Sequence, residues 1–315
     1  MVPAERSREA ACEHVVDLAG RGRTVVWDWS GPAGAPVLVL LHGVTLDAEV
    51  NWFHVVPALR RHFRVLTLDL RGHGEGLPAA RPYRLEDCAD DVAATVRELG
   101  VGSVIPVGYS MGGMIAQAFW RRHPKLTTGL VLCATARNAS GSLLERVSAM
   151  AMPFVVSAVG WLPPLFPMGA DLIGAALLDG QLDPGARRRA LAHMHRTPMT
   201  TALAAMHAAC EFSSHRWIGA VDVPTAVMIT GRDRVVPPSR QWGLARALPD
   251  CAIVHVDGGH GVFLDALGTF TAGVLQACLA VVPDALVHGR GRRAGRRGEL
   301  RDELRGGSFT AVATG

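Results

Sequence analysis

Short apolar runs recur along the chain, separated by turn-forming or helix-like sequence. Each run is four to six residues long and apolar on both faces, which is typical of strands buried in a parallel sheet. We predict strands at residues 24–29, 37–41, 65–70, 103–107, 130–133, 225–230 and 252–256. Between Leu85 and Leu99 the apolar residues instead recur at helical spacing, and Gly100 ends the pattern. This alternation predicts an α/β fold, with a mostly parallel central sheet and helices on both faces.

The alternation is interrupted once and fades at both ends of the chain. Between residues 134 and 220 the sequence is helix-like, irregular and rich in Met and Pro, which indicates an insertion between two strands. We predict an N-terminal extension at 1–22, a core at 23–136 and 220–282, a helical insertion at 137–219 and a tail at 283–315. The tail is rich in Gly and Arg, and we expect it to be disordered.

The charge distribution argues against a nucleic-acid surface on the body of the protein. Hydrophobic residues make up 49% of the chain and charged residues 19%, which suits a large buried core. The net charge is +4, but residues 289–315 contain seven arginines and three acidic residues, so the preceding 288 residues are neutral. We therefore expect no nucleic-acid partner, because the basic charge belongs to the tail.

The cysteines and the N-terminus predict a cytoplasmic protein without a metal site. The six cysteines lack C-x-x-C or short Cys/His spacing, which predicts reduced thiols. The first 20 residues contain charges and no continuous apolar segment, unlike a secretory signal. Residues 147–170 are uncharged and long enough to cross a bilayer, yet four prolines argue against a spanning helix. Peripheral membrane contact, through this segment or the basic tail, stays open.

Ser110 lies in the sequence Gly-Tyr-Ser-Met-Gly, between a strand-like run and a helix-like run. A serine with glycine two positions away on each side is a weak signal alone, but at a strand-to-helix corner it predicts a nucleophile. Gly108 and Gly112 would relieve crowding at the corner, and the N-terminus of the helix favours developing negative charge. The alternative is a glycine-rich turn that merely contains serine.

A serine hydroxyl becomes nucleophilic beside a base that a third group orients. The predicted base is His260, which follows the last predicted strand in a loop with glycine on both sides. The predicted acid is Asp233, three residues beyond the strand at 225–230 and between the serine and the histidine in chain order. A loop ion pair with Arg232 or Arg234 is the alternative role for Asp233.

Two backbone amides are predicted to bind the oxyanion that such a reaction forms. The amide of Met111 directly follows the nucleophile, and the amide of Val44 follows the strand that ends in Leu-Leu-His-Gly. Gly43 permits the bend of that loop, whereas we interpret His42 as structural rather than catalytic.

These residues together resemble the α/β-hydrolase fold family, in particular its serine esterase and lipase-like members. The resemblance covers residues 25–281 and depends on LLHG, LDLRGHGEG, GYSMGG, TGRDRVVPP and GGHG, which occur in the family's order. It implies a triad of Ser110, Asp233 and His260, because the family's nucleophile, acid and base follow one another in that order. It also implies that the insertion is a cap over the active site, and that the aspartate and the arginine of LDLRGHGEG are architectural.

The constellation and the resemblance predict a serine hydrolase that cleaves a carboxylic ester through an acyl-enzyme on Ser110, without a cofactor or metal. The expected substrate is a small ester or thioester with a hydrophobic acyl or alkyl group, because the insertion is rich in Met and aromatic residues. The candidate substrate-contacting residues are Met150, Phe154, Trp161 and Phe166. Their alternative role is to pack the cap onto the core.

Other activities of the same triad stay open, namely those of a thioesterase, an acyltransferase or a perhydrolase. Gly261 follows the predicted base where carbon–carbon hydrolases of this fold usually carry tryptophan, which disfavours that reaction. A ligand-binding protein that keeps the fold without turnover is the alternative from another class. The sequence leaves the natural substrate, the pathway and the oligomeric state open.

Overall fold

The computed structural model describes residues 8, 10–79, 82–138 and 184–282, and within them eight strands form one mostly parallel sheet. The strands are β1 (Cys12–Leu18), β2 (Gly22–Trp29), β3 (Val37–Leu41), β4 (Arg64–Leu68), β5 (Ile105–Tyr109), β6 (Leu130–Cys133), β7 (Thr225–Thr230) and β8 (Ala252–Val256). Their order across the sheet is β1-β2-β4-β3-β5-β6-β7-β8. All pairs from β4 to β8 are parallel, whereas β2 pairs antiparallel with both β1 and β4.

Helices flank the sheet. In the described residues they are α1 (Ala48–Trp52), α2 (Val56–Leu59), α3 (Leu85–Glu98), α4 (Met111–Arg122), α5 (Pro184–Met194), α6 (Met199–Glu211), α7 (Pro238–Ala245), α8 (Val262–Asp265) and α9 (Leu267–Ala280). Short 3₁₀ turns lie at Pro124–Leu126 and Ile218–Ala220. The helix α4 packs on β3, β5 and β6 with α3 beside it, and α9 packs on β7 and β8.

Alternate residues of β7 show how the two faces of the sheet are filled. Val227 and Ile229 belong to the core cluster that includes residues of α3 and α4. Met228, between them, lies against Gly273 of α9, where a side chain would collide with Val256. Because successive strand residues point to opposite faces, α9 and the α3–α4 pair cover opposite sides of the sheet.

The predicted α/β fold and its seven strands are confirmed, with two of the strands shifted along the chain. β4 ends at Leu68, because this is the last of its residues to pair with a neighbouring strand, opposite Val26 of β2. β5 continues to Tyr109, because this residue still pairs with Cys133 of β6. The additional length brings the strand directly to the corner at residue 110.

The strand β1 was not predicted and lies within the segment 1–22 that the sequence sets apart as an extension. It pairs with β2 along its whole length, from Cys12 opposite Asp28 to Leu18 opposite Gly22. Within this strand only Val16 and Leu18 are buried, so its apolar signal is weak. β1 is an edge strand of the same sheet.

Part of the predicted insertion is described, namely the helices α5 and α6. Residues 139–183 lie outside the described residues, as do residues 1–7 and the predicted tail at 283–315. The cap, the uncharged segment and the tail therefore stay predictions. None of the helices that the structure describes is both long and apolar enough to cross a bilayer.

His54, in the turn between α1 and α2, is expected to make the fold sensitive to acid. Its ring lies beside Phe270, with ring centroids 5.6 Å apart, and its buried Nε2 has no hydrogen-bond partner among the described residues. Burial lowers the pKa of His54 to about 4. Because an unfolded histidine takes up a proton near pH 6.5, stability is present above that pH and is lost as the pH falls towards 4. Between pH 7.5 and 4.5 the loss is about 2.5 kcal/mol.

Urea unfolding at these two pH values, with His54→Leu as the variant, measures this contribution. The variant should lose about 2.5 kcal/mol less than the wild type as the pH falls, because it has no imidazole to protonate at this position. His215→Leu, at an exposed histidine, is the matched control and should keep the wild-type dependence. An unchanged dependence in His54→Leu would show that His54 titrates alike in both states.

Candidate active site

Ser110 occupies a sharp corner between β5 and α4. Every residue of β5 is buried, and α4 begins at Met111. The Ser110 backbone has φ 54° and ψ −117°, a conformation that costs a non-glycine residue on the order of 1–3 kcal/mol. A Cβ at Gly108 would collide with the carbonyl of Gly112, and one at Gly112 with the carbonyl of Leu41. The two glycines are therefore needed for the close approach of three backbone segments.

Hydrogen bonds from β6 and the loop after it hold the corner. The Ser110 amide donates to the carbonyl oxygen of Cys133 at 2.9 Å. The Thr135 hydroxyl donates to the carbonyl oxygen of Ser110 at 2.8 Å. Both polar groups of the strained peptide are thus satisfied, and the side chain of Ser110 is left to face the edge of the sheet where the parallel strands end.

The structure brings Ser110, His260 and Asp233 together, although they lie far apart in the sequence. His260 Nε2 lies 3.0 Å from Ser110 Oγ, and His260 Nδ1 lies 2.8 Å from Asp233 Oδ2. The residues are buried, with exposed fractions of 7%, 4% and 3% respectively. Since a carboxylate only accepts, Nδ1 carries the proton and Nε2 is free to accept from the serine hydroxyl. This is the arrangement in which a serine can be activated.

Asp233 is held by hydrogen bonds from every side. Apart from His260, four donors point at its carboxylate: Val235 N and Val236 N at 2.9 and 2.8 Å from Oδ1, Thr230 Oγ1 at 2.8 Å and Gln241 Nε2 at 3.2 Å from Oδ2. The alternative ion pair with Arg232 does not form, because Arg232 pairs with Asp257 at 3.0 Å. Thr230 and Gln241 were not predicted as partners of Asp233, because their spacing from it in the sequence carries no recognisable signal.

Tyr109 contacts the backbone of the loop that carries His260. Its hydroxyl donates to the carbonyl oxygen of His260 at 2.6 Å, and the two rings lie 5.5 Å apart. Burial is the main reason that the pKa of Tyr109 lies well above its usual value, so the hydroxyl stays protonated and donates. Tyr109 therefore fixes the loop that carries His260, a role that was not predicted from the sequence.

The loop from Gly43 to Thr45 is held on both sides of Val44. The Gly43 amide donates to Asn51 Oδ1 at 3.0 Å, and the Thr45 amide donates to His73 Nε2 at 3.3 Å. Thr45 has a φ of 62°, so the chain turns sharply just after Val44. The Val44 amide, the predicted oxyanion donor, thus lies between two hydrogen-bonded neighbours on the loop that faces Ser110.

His42 occupies a structural position, as interpreted from the sequence. Its Nε2 accepts a hydrogen bond from the Leu70 amide at 2.9 Å, and its Nδ1 donates to the Gly43 carbonyl at 2.8 Å. Burial, followed by the neighbouring His73, lowers the pKa of His42 to about 3. A neutral ring with both nitrogens engaged ties the loop to the segment after β4 and has no nitrogen left for proton transfer.

A narrow cavity of about 10 Å³ lies in front of Ser110. Its walls are Gly43, Val44, Leu46, Tyr109, Ser110, His260 and Phe263. A volume of this size holds about one water molecule. Apart from the serine and histidine the walls are largely apolar, so an acyl group bound there would contact Leu46 and Phe263.

The predicted substrate-contacting residues Met150, Phe154, Trp161 and Phe166 lie outside the described residues. Their role therefore stays a prediction. In the part of the chain that the structure describes, no three His, Cys, Asp or Glu side chains form a group able to hold a metal ion.

The chain is similar to a known family and to several known proteins. A family model described as alpha/beta hydrolase fold matches residues 36–267. The chain is 31% identical to a pimeloyl-[acyl-carrier protein] methyl ester esterase of Aromatoleum aromaticum, over 73% of this chain and 92% of the relative. It is 28% identical to the magnesium-chelatase 30 kDa subunit of Rhodobacter capsulatus, over 77% of this chain and 88% of the relative. A solved thermophilic esterase from Thermogutta terrifontis matches with a TM-score of 0.70 at 25% identity, over 86% of this chain and 99% of that one.

Proposed function

The chain belongs to the α/β-hydrolase fold family and is an enzyme, and on this premise we propose that it hydrolyses carboxylic esters through an acyl-enzyme on Ser110. The observation that carries the proposal is the position of His260, whose two ring nitrogens contact the Ser110 hydroxyl at 3.0 Å and the Asp233 carboxylate at 2.8 Å. A histidine so placed can take the hydroxyl proton as the oxygen attacks a carbonyl carbon.

In the first half of the reaction, His260 Nε2 takes the proton of Ser110 while Oγ bonds to the ester carbonyl carbon. The carbonyl oxygen becomes an oxyanion, which the amides of Val44 and Met111 bind. The C–O bond to the alcohol then breaks, and His260 returns its proton to the departing oxygen. The products are a free alcohol and an acyl group bound to Ser110.

In the second half, water attacks the acyl carbon and gives its proton to His260 Nε2. The bond to Ser110 Oγ breaks, and His260 reprotonates the serine, so that a carboxylic acid leaves and the enzyme is restored. Throughout, Asp233 accepts from Nδ1 and stabilises the charge that the ring carries between transfers. The same residues would act on a thioester, and we favour an oxygen ester because two of the similar proteins are named esterases.

The walls of the cavity support an apolar acyl group. Leu46 and Phe263 are 6% and 2% exposed, and both face the space in front of Ser110. Apolar contact at these side chains would bind a hydrocarbon chain and not a charged one. Because the cavity is narrow, these two side chains also limit the length of the chain that fits.

Hydrolysis of p-nitrophenyl esters from acetate to octanoate tests both the reaction and this wall. The wild type should release p-nitrophenol, and Leu46→Ala or Phe263→Ala should shift the preference of kcat/KM towards longer acyl chains. The expected gain is roughly fourfold for each further methylene that becomes buried. Leu267→Ala, at a leucine that is 42% exposed on α9, is the matched control and should keep the wild-type preference.

Two results would contradict the proposal, and they are distinct. If no ester is cleaved, the reaction is wrong, and the corresponding thioesters would be tried next. If esters are cleaved but neither cavity variant changes the chain-length preference, the acyl group does not lie against Leu46 and Phe263.

A further inference from the structure

A buried hydrogen bond joins the helix α5 to the loop that carries Val44. His193, at the end of α5, has its Nδ1 2.5 Å from Asp47 Oδ2. The side chains of Asp47 and His193 are 5% and 14% exposed. Arg196 also faces this carboxylate, with Nη1 3.7 Å from the same oxygen, but its side chain is 57% exposed. The two buried groups therefore link the described part of the insertion to this loop.

Asp47 uses its second oxygen to start the helix α1. Its Oδ1 accepts a hydrogen bond from the Val50 amide at 2.9 Å, which makes Asp47 the N-cap of that helix. Burial raises the pKa of Asp47, but the hydrogen bond and charge of His193 outweigh it, together with the Val50 amide, and keep the pKa below its usual value. The carboxylate is therefore ionised and binds the loop and α5 at once.

Asp47 is connected to the residues on both sides of Val44 in the sequence. Asp47 caps α1, and α1 carries Asn51, whose fully buried side chain accepts the amide hydrogen of Gly43 at 3.0 Å. Leu46, directly before Asp47, forms part of the cavity wall. A shift of the Asp47 carboxylate would thus move the residues before and after Val44 together.

We infer that Asp47 and His193 are positioning residues for the Ser110 site: their contact fixes the loop so that the Val44 amide points at the developing oxyanion. This inference rests on the proposed function, since it requires that Ser110 be a nucleophile. It also makes α5 part of the active-site architecture, because the loop is complete only when His193 is docked. An amide displaced by a fraction of an ångström still binds the oxyanion, but less strongly than one in place.

A purely structural contact would have a different signature. If the hydrogen bond between His193 and Asp47 only docked the insertion, its loss would lower the stability or weaken substrate binding, and the chemical step on bound substrate would be unaffected. A misplaced oxyanion donor instead lowers kcat and changes KM little. The rate at which a fluorophosphonate labels Ser110 reports on the same donor, because charge also develops on the phosphoryl oxygen during that reaction. Labelling does not require that the natural substrate be an ester.

The test compares four variants in both assays, labelling and p-nitrophenyl ester hydrolysis. His193→Ala and Asp47→Ser should each lower kcat and the labelling rate by about tenfold, less than the 10²–10³ lost with a whole donor, with KM within about twofold. Serine keeps the N-cap but is too short to reach His193, so this variant removes the contact with His193 and leaves the start of α1 intact. His193→Asn places an N–H close to the position of Nδ1 and should recover most of the rate. His207→Ala, on α6, is the matched control and should behave as the wild type.

The outcomes distinguish a failure of this inference from a failure of the ester proposal. Wild-type rates in both His193→Ala and Asp47→Ser would overturn the inference, as would a raised KM with unchanged kcat. A loss that His193→Asn fails to recover would point to packing and also overturn it. If the fluorophosphonate labels Ser110 of the wild type but no ester is cleaved, the ester proposal alone is contradicted. The labelling rates of the variants would still decide the inference. A wild type that does not label would overturn both.

Discussion

Replacing Ser110 with alanine is expected to reduce ester hydrolysis by about six orders of magnitude in kcat, to the limit of detection. The variant removes the one oxygen that lies 3.0 Å from His260 Nε2, and the hydrolysis that is left depends on binding and the backbone amides alone. Release of p-nitrophenol by the purified variant measures the residual rate, at enzyme concentrations well above those used for the wild type. Near-wild-type activity would refute the assignment of the nucleophile.

The folded stability of this variant should be close to that of the wild type. Alanine keeps the Cβ of serine, so the strained backbone at φ 54° is unchanged and the glycines at 108 and 112 still permit the corner. Thermal melting should therefore separate lost chemistry from lost folding. Ser213→Ala, at an exposed serine outside the site, is the matched control and should keep full activity.

The corner at Ser110 could be predicted because its signals are local. An apolar strand, two glycines and a helical run follow one another between Ile105 and Trp120, and each reports on its own backbone. His260 and Asp233 were found in the same way, as polar residues just beyond strand ends. Parallel strands bring their carboxyl ends to one edge of the sheet, so the topology alone places such residues near each other.

The partners that hold these residues could not be predicted, because they come from distant parts of the chain. Asp47 and His193 are 146 residues apart, and Tyr109 reaches the backbone of His260 across 151 residues. Nothing in the sequence near one member of such a pair indicates the other. Asn51 lies close to Gly43 in the chain, but its role depends on the direction in which α1 leaves the loop.

The strand β1 was missed for a different physical reason. An edge strand pairs on one side and is half covered, so it needs few apolar residues. Cys12–Leu18 has Val16 and Leu18 buried, while Val15 is 58% exposed, and this mixture resembles a surface segment. Most of the predicted strands have almost all their residues buried, as in β5 and β7. The exception is β8, in which only Val254 and Val256 are buried.

Replacing Asp233 is expected to have the second large effect on activity, because the surroundings of its side chain are compatible only with a carboxylate. All five hydrogen-bond partners of its side chain are donors, three to Oδ2 and two to Oδ1. An asparagine has one oxygen and one NH₂ group, so either orientation places an NH₂ group against donors. If the NH₂ group faces Thr230 and His260, the imidazole must move its proton to Nε2 to accept at Nδ1. The ring would then donate towards Ser110 and could no longer accept its proton.

We therefore expect Asp233→Asn to lower kcat by about 10⁴-fold and to weaken the fold as well, through the unpaired donors. Steady-state ester hydrolysis measures the first effect and urea unfolding the second. Asp257→Asn, at a carboxylate that is 80% exposed and three residues before His260, is the matched control and should keep activity within a few fold. An active Asp233→Asn beside an inactive Asp257→Asn would reverse the assignment of the acid. We expect the opposite, an inactive Asp233→Asn beside an active Asp257→Asn. The five donors around Asp233 require a full carboxylate, and His260 can hold its proton on Nδ1 only while such a carboxylate faces it.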